Sequence, residues 1–118
     1  MIMDLITELK EHDVNTEEAL ARFMNNSELY VRMLGKFPAA VKDANVSAHF
    51  NAKDYETAVS TAHTLKGVTG NLSLTPLFKA YTEIVALLRA GEPDKAEAIL
   101  KEILPVQEKI IACIEKHS

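Results

Sequence analysis

Apolar residues recur at intervals of three and four along almost the whole chain, and this spacing limits the fold more than any other feature. No segment alternates apolar and polar residues as a half-buried strand would. In the last third of the chain the apolar residues follow the 3-4 alternation of packed antiparallel helices: Ala96, Ile99, Ile103, Val106, Ile110 and Cys113. The sequence therefore predicts an all-α fold.

Helix breakers and capping residues divide the chain into its predicted helices. These cover residues 2–11, about 15–24, 27–44 with a bend at Pro38, 54–71, 75–90 and 93 to near the end. Short connections at 70–75 and 91–93 favour antiparallel neighbours. We therefore expect an antiparallel up-down four-helix bundle with one or two short additional N-terminal helices.

Three sites in the sequence have the spacing of known helix ends. Asn15 and Glu18 fit a capping box, in which each side chain accepts a hydrogen bond from the other residue's backbone N–H. Asp54 is a suitable N-cap for the helix 54–71. That helix is expected to end at Gly70-Asn71, a pair that readily adopts the left-handed conformation.

Length and charge narrow the class of protein. The 118 residues are expected to form one domain over 1–118. A net charge of −4 argues against nucleic-acid binding, which needs a positive surface, so a protein partner is the better expectation. The single cysteine allows no intrachain disulfide, and no segment predicts a signal peptide or membrane span. We expect a cytoplasmic location, either as a free protein or as the cytoplasmic part of a larger membrane protein.

The predicted helix 54–71 has two different faces when its residues are placed about 100° apart around the axis. The face expected to lie in the core carries Tyr55, Ala58, Ala62, Leu65, Thr69 and Leu72. The opposite face carries Glu56, Ser60, His63, Lys66, Gly67 and Gly70. The histidine is therefore expected to point to solvent or to a partner protein.

Gly67 lies one turn after His63 on the exposed face, where it contributes nothing to the core. A glycine inside a helix costs about 1 kcal/mol relative to alanine, so another requirement must offset that cost. The missing side chain leaves the imidazole open to close approach by another protein's backbone. Gly70 extends this bare strip, although it fits a helix C-cap equally well. Lys66 is either an ordinary solvated lysine or a cation that would neutralise a phosphoryl group on His63.

The run Ala62-His63-Thr64-Leu65-Lys66-Gly67 resembles the motif of the histidine-containing phosphotransfer (HPt) domain, approximately A-H-x-L-K-G followed by small residues, N-[IL]-G and a further helix. The resemblance covers roughly residues 15–90. Its flanking matches are Glu18-Ala19-Leu20-Ala21-Arg22-Phe23, Leu29-Tyr30, Phe37, Asp54 and Glu83. The chain departs from the motif at Ser73, where the family generally has a glycine in the turn between its two central helices.

The resemblance implies a phosphorelay intermediate of two-component signal transduction, with no ATP site of its own. His63 would accept a phosphoryl group from an aspartyl phosphate on a receiver domain and pass it to an aspartate of another receiver, while Lys66 neutralises its charge. The residues implied to contact the partner are Ser60, Thr64, Gly67 and Gly70. The implied partners are receiver domains of response regulators or hybrid kinases, and the chain itself would be a free protein or the cytoplasmic part of a membrane-bound sensor kinase. Mg²⁺ would sit on the receiver, and this domain is expected to be a monomer without a cofactor, a metal or membrane contact.

Two other classes of function are disfavoured by the sequence. An autonomous kinase would need a nucleotide loop such as G-x-x-x-x-G-K-[ST], and the chain has none. A di-metal bundle would use inward Glu-x-x-His pairs, but none of the four histidines has a glutamate three residues before it. No metal site is therefore predicted.

A helical adaptor without chemistry remains the alternative, because helical bundles also bind partners through apolar faces. His63 and Lys66 would then be surface residues in an adaptor or a silenced relay domain that only docks partner proteins. Other residues are expected to be structural. Cys113 would fill core space, and Tyr30, Tyr55 and Tyr81 would lie at the edges of the bundle with their hydroxyls in water.

Overall fold

The computed structural model describes residues 2–117, apart from the side chain of Ile2, and this range contains helices and no strand. The helices of this range are α1 (Ile2–Glu11), α2 (Thr16–Arg22), α3 (Ser27–Leu34), α4 (Phe37–Ala44), α5 (Val46–Asn51), α6 (Tyr55–Asn71), α7 (Thr75–Arg89) and α8 (Pro93–Lys116). The predicted all-α fold is confirmed. Over the same range, no helix is both long enough and apolar enough to cross a membrane.

The core lies between the three long helices and the shorter N-terminal ones. Helix α6 packs against α7, and α7 packs against α8, while α4 and α5 lie on α6 and α1 lies on α8. The largest fully buried side chains include Tyr30, Phe37, Leu65, Tyr81 and Ile110. Burying a large apolar side chain of this kind contributes about 1.5–3 kcal/mol, so this shared core fixes α6 on both sides.

The capping box predicted at the start of α2 is only half formed. The Asn15 side chain accepts a hydrogen bond from the Glu18 backbone N–H at 3.1 Å, as expected of an N-cap. The Glu18 carboxylate does not return the bond, because it accepts one from the Ser73 hydroxyl at 2.7 Å. The Asn15 N–H instead donates to the Ser73 carbonyl at 3.0 Å. Both bonds attach α2 to the turn between α6 and α7.

The helix predicted over 27–44 is in fact two helices. Helix α3 ends at Leu34 and α4 begins at Phe37, with Pro38 in the first turn of α4. Proline fits there because the N–H groups of a first turn have no intrahelical partner in any case. Pro38 therefore starts a helix rather than bending one. Helix α5 was not predicted; it follows Asn45, whose φ of 46° turns the chain after α4.

Helix α6 ends at Gly70-Asn71 as predicted, with Asn71 as its last residue, but the left-handed conformation expected of that pair lies further along the chain. The helix runs through both residues to a C-cap at Leu72, and the left-handed residue is Ser73, with a φ of 55°. The Ser73 N–H donates to the Gly70 carbonyl at 3.2 Å and the Leu74 N–H donates to the Thr69 carbonyl at 2.9 Å. These two bonds form a Schellman motif, in which the left-handed position is usually glycine.

The expected positions of two tyrosines and of the α8 seam also need correction. Tyr30 and Tyr81 are fully buried rather than at wet edges, and their hydroxyls donate to the Leu72 carbonyl and to Gln107 Oε1. The buried line of α8 is Ala96, Leu100, Gln107, Ile110, Cys113 and Ile114. The predicted seam missed Leu100 and Ile114, and its members Ile99, Ile103 and Val106 are only half-buried. It also missed the polar Gln107, whose buried side-chain oxygen accepts from Tyr81.

Candidate functional site

The outward orientation predicted for His63 agrees with the structure. On α6, Ala58, Ala62, Leu65 and Thr69 are buried against the other helices, and the His63 side chain is exposed. Within residues 2–117 the imidazole makes no hydrogen bond or ion pair. Its ring is therefore open to an incoming group.

Helix α6 holds this histidine on a fixed backbone. Asp54 caps the helix by accepting a hydrogen bond from the Thr57 N–H at 3.2 Å. Hydrogen bonds from Thr57 also hold the pKa of the Asp54 carboxyl below its usual range, so the carboxylate keeps its charge at the positive end of the helix. Seventeen residues of regular helix follow, packed against α4, α5 and α7. This packing sets the position of the His63 backbone.

Lys66 lies three residues after His63, on the neighbouring turn of α6. Residues at this spacing have Cβ atoms about 5–6 Å apart, and the flexible lysine stem extends well beyond that. The Lys66 side chain is half-buried, and among the described residues no carboxylate pairs with its ammonium group. The cation is thus available to an anionic group held at the histidine.

The two glycines of the predicted strip lie in different surroundings. A Cβ added to Gly67 would meet no atom within 4 Å, so no packing contact in the described residues explains this glycine. A Cβ added to Gly70 would lie 2.9 Å from two ring atoms of Phe78, which is closer than a real contact. Gly67 therefore leaves bare surface beside His63, whereas Gly70 is half-buried because the Phe78 ring of α7 covers it.

Ser60 and Thr64 complete the residues predicted to contact a partner. Both side chains are exposed on α6. The Thr64 hydroxyl donates to the Ser60 carbonyl at 3.2 Å, and its oxygen keeps lone pairs that a partner can reach. Ser60, Thr64 and Gly67 thus share one exposed surface with His63. Within residues 2–117, the side chains of Ser60 and Thr64 form no other hydrogen bond.

Phe78 is a candidate contact that the sequence did not single out. Its side chain is 37% exposed, so part of the ring is available to a partner. It covers Gly70, which lies two turns after His63 on the same face of α6. In the sequence, the sign of this exposure is that Phe78 lies outside the apolar stripe of α7. Glu83, also on α7, is exposed.

The surface around His63 is exposed. Four clefts on the described part of the molecule are lined without any contribution from His63 or Lys66. Small-molecule sites are usually concave and enclose most of the ligand, whereas protein interfaces need only a complementary surface. An exposed histidine on a helix face is therefore better suited to a protein partner than to a small substrate.

Comparison with known proteins gives one family. The family model described as the Hpt domain matches residues 1–115 of the chain. A search of curated proteins and a search of solved structures each found no match. The family match covers almost the whole sequence, and it agrees with the all-helical fold and with the motif around His63. The chain belongs to the Hpt domain family.

Proposed function

We propose that this protein is a phosphorelay intermediate in which His63 carries the phosphoryl group. Hpt domains take part in the phosphorelays of two-component signalling, where they interact with receiver domains and have no kinase activity of their own. The observation that best supports the assignment to His63 is its exposed imidazole on the polar face of α6, which is unpaired among the described residues and lies one turn before a glycine with open space around it.

The proposed reaction needs only a free ring nitrogen and a receiver aspartyl phosphate. A neutral imidazole is a nucleophile near pH 7, and its lone pair would attack the phosphorus atom. The new N–P bond forms as the O–P bond of the aspartyl phosphate breaks, which returns the aspartate as a carboxylate. The imidazole then loses its remaining ring proton to solvent. Transfer to a second receiver is the same sequence in reverse, so no further reactant is required.

Lys66 would support the phosphorylated state rather than the free one. Phosphoryl transfer depends mainly on positioning and on neutralising charge. The Lys66 ammonium group has no partner among the described residues, so it can donate to the phosphoryl oxygens without first losing an ion pair. The Mg²⁺ of the reaction would belong to the acidic cluster of the receiver, as the family resemblance implies.

Docking would use the exposed surface around the histidine. Ser60, Thr64 and Gly67 lie on it, and Gly70 would act indirectly by seating the Phe78 ring beside it. Gly67 would let the receiver backbone approach the imidazole. In the up-down arrangement of four helices that we propose for the family fold, this surface lies on the side of one central helix. A monomer would suffice for the reaction, and a cytoplasmic location stays a prediction.

The proposal is tested by mixing the protein with receiver domains phosphorylated by a small phosphodonor in the presence of Mg²⁺. Transfer is followed as loss of phosphate from the receiver and its gain by this chain. We expect transfer to wild type and to His49→Gln, a control histidine on α5, and no transfer to His63→Gln. Circular dichroism of all three proteins should match, since His63 is exposed. Transfer to His63→Gln at the wild-type rate would refute the assignment.

Two further variants separate docking from chemistry. Gly67→Glu should weaken receiver binding in a titration, because its side chain fills the open surface beside the histidine. Lys66→Gln should slow transfer while it leaves the dissociation constant of the complex nearly unchanged. The adaptor alternative predicts that receivers bind this chain but that neither the wild type nor any variant becomes phosphorylated.

A further inference from the structure

A second cluster of reactive side chains lies where the first and last helices meet, away from the His63 surface. It consists of Glu8 from α1 and of Cys113 and His117 from α8 and its C-cap. The carboxylate, sulfur and imidazole ligand atoms all lie within 4.8 Å of one another. We call these three residues the terminal cluster. It was not predicted, because Glu8 and His117 are 109 residues apart in sequence.

The distance between Glu8 and His117 is that of two ligands on one metal ion. Zinc binds nitrogen and oxygen ligands at about 2.0–2.2 Å, so two such ligands at a tetrahedral angle lie about 3.3 Å apart. Glu8 Oε1 and His117 Nε2 are 3.4 Å apart. Cys113 and His117 are four residues apart and therefore project from the same face of α8.

The chemistry of the terminal cluster favours a borderline-soft divalent ion. A thiolate, an imidazole and a carboxylate are the three ligand types that zinc uses in proteins. A Cys113 thiolate and the Glu8 carboxylate would together cancel the charge of such an ion, which matters because Cys113 is buried and the other two residues are half-buried. Hard cations such as Mg²⁺ prefer oxygen ligands and fit less well.

We propose that the terminal cluster binds one Zn²⁺ ion through Glu8, Cys113 and His117, with water as the fourth ligand. Binding forms the metal–sulfur bond as the thiol proton leaves to solvent, so one proton is released per ion. Lys116 Nζ, which donates to Glu8 Oε1 at 3.1 Å and is 67% exposed, would turn outward into water. The ion would tie α1 to the end of α8.

Without metal, the Cys113 sulfur carries a proton that a bound ion must displace. Burial, together with the nearby Glu8 carboxylate, raises the pKa of the Cys113 thiol to about 12. Hydrogen bonds from Cys113, Lys116 and His117 hold the pKa of Glu8 down to about 2. The proposal stands apart from the phosphorelay function, since none of these residues lies on the His63 surface.

Titration with Co²⁺ under reducing conditions tests the site, because tetrahedral Co²⁺ has intense visible bands and a thiolate ligand adds a charge-transfer band in the near ultraviolet. We expect both signals at one ion per chain in wild type, and their loss when Zn²⁺ is added. Cys113→Ser should lose the charge-transfer band. Glu8→Gln should weaken binding by more than about tenfold, since even groups that only support a ligand cost that much.

Control variants decide where the metal is bound. Glu108→Gln removes an exposed carboxylate from α8, and His63→Gln removes the exposed histidine of α6; both should bind like wild type. If Cys113→Ser does not fold, the half-exposed Glu8→Gln and His117→Gln still test the site. A charge-transfer band that is absent in wild type, or cobalt binding that is lost only in His63→Gln, would overturn the proposal.

Discussion

The Ser73 hydroxyl donates a hydrogen bond of 2.7 Å to Glu18 Oε1, although the two residues are 55 positions apart in sequence. Arg22 completes the contact, because its guanidinium donates to Ser73 Oγ at 2.9 Å and to the Asn71 carbonyl at 2.7 Å. Ser73 occupies the left-handed position that ends α6, where the family generally has a glycine. Its side chain thereby joins the turn after the histidine helix to α2.

Two substitutions of Ser73 should distinguish the stability gained from its hydrogen bonds from the free-energy cost of its left-handed backbone. A residue other than glycine in the left-handed conformation costs roughly 1–2 kcal/mol, and each hydrogen bond contributes about 0.5–1.5 kcal/mol. Ser73→Ala keeps the cost and loses the bonds, so it should lower the free energy of unfolding by about 1–2 kcal/mol. Ser73→Gly also loses the bonds but removes the cost, and should be the more stable of the two variants by about 1 kcal/mol. Urea unfolding measures both values, and an alanine variant as stable as wild type would contradict the account.

The contribution of Glu18 to stability should depend on pH. Hydrogen bonds from Ser73 and then Arg22 lower the pKa of the folded Glu18 carboxyl relative to its unfolded value of about 4.3. A lowered folded pKa stabilises the protein above the unfolded pKa, and this stability is lost as the pH falls through the folded value. The difference in unfolding free energy between wild type and Glu18→Gln should therefore be largest above about pH 5 and shrink in acid.

Glu17→Gln is the matched control for that measurement. Glu17 is exposed in the same first turn of α2, and in the described residues it has no hydrogen-bond or ion-pair partner. Both variants lose the same charge near the same helix end, so only the contact with Ser73 and Arg22 differs. The account would be contradicted if Glu18→Gln lowered the free energy of unfolding no more than Glu17→Gln does. It would also be contradicted if the effect of Glu18→Gln did not change with pH.

The two glycines of α6 should respond oppositely to the same substitution. Gly67→Ala should raise the free energy of unfolding by about 0.5–1 kcal/mol, because alanine is the better helix former and its Cβ meets no atom within 4 Å. Gly70→Ala should lower it, because its Cβ would lie 2.9 Å from the Phe78 ring. Thermal unfolding of the pair tests the difference, and a destabilising Gly67→Ala would show that Gly67 has a structural role.

Removing only one partner of the buried hydrogen bond between Tyr81 and Gln107 should lower the free energy of unfolding. Tyr81→Phe leaves Gln107 Oε1 buried without its donor, which should cost about 1–3 kcal/mol of unfolding free energy. Adding Gln107→Leu should recover part of the loss, because the pair then has no unsatisfied polar atom. Tyr55→Phe is the control, since the half-buried Tyr55 hydroxyl has no partner in the described residues and should change stability by less than about 0.5 kcal/mol. Equal losses at positions 55 and 81 would contradict this explanation.

The faces of α6 could be predicted from the sequence because they follow from local periodicity alone. The turn after it could not, because the side chain of the left-handed Ser73 is held by Glu18 and Arg22, which lie far away in sequence. The burial of Gln107 depends in the same way on Tyr81. In each case a polar residue is placed by a distant partner, and no pattern of apolar spacing contains that information.

The measurement that most directly tests the account is the location of the phosphoryl group after transfer from a phosphorylated receiver. Tandem mass spectrometry under alkaline conditions preserves phosphohistidine, and brief acid treatment should remove it. The account predicts one acid-labile, alkali-stable phosphate per chain on His63, and none on the other three histidines. Phosphate on a different residue would contradict the central role of His63, as would no phosphate in a sample that binds the receiver.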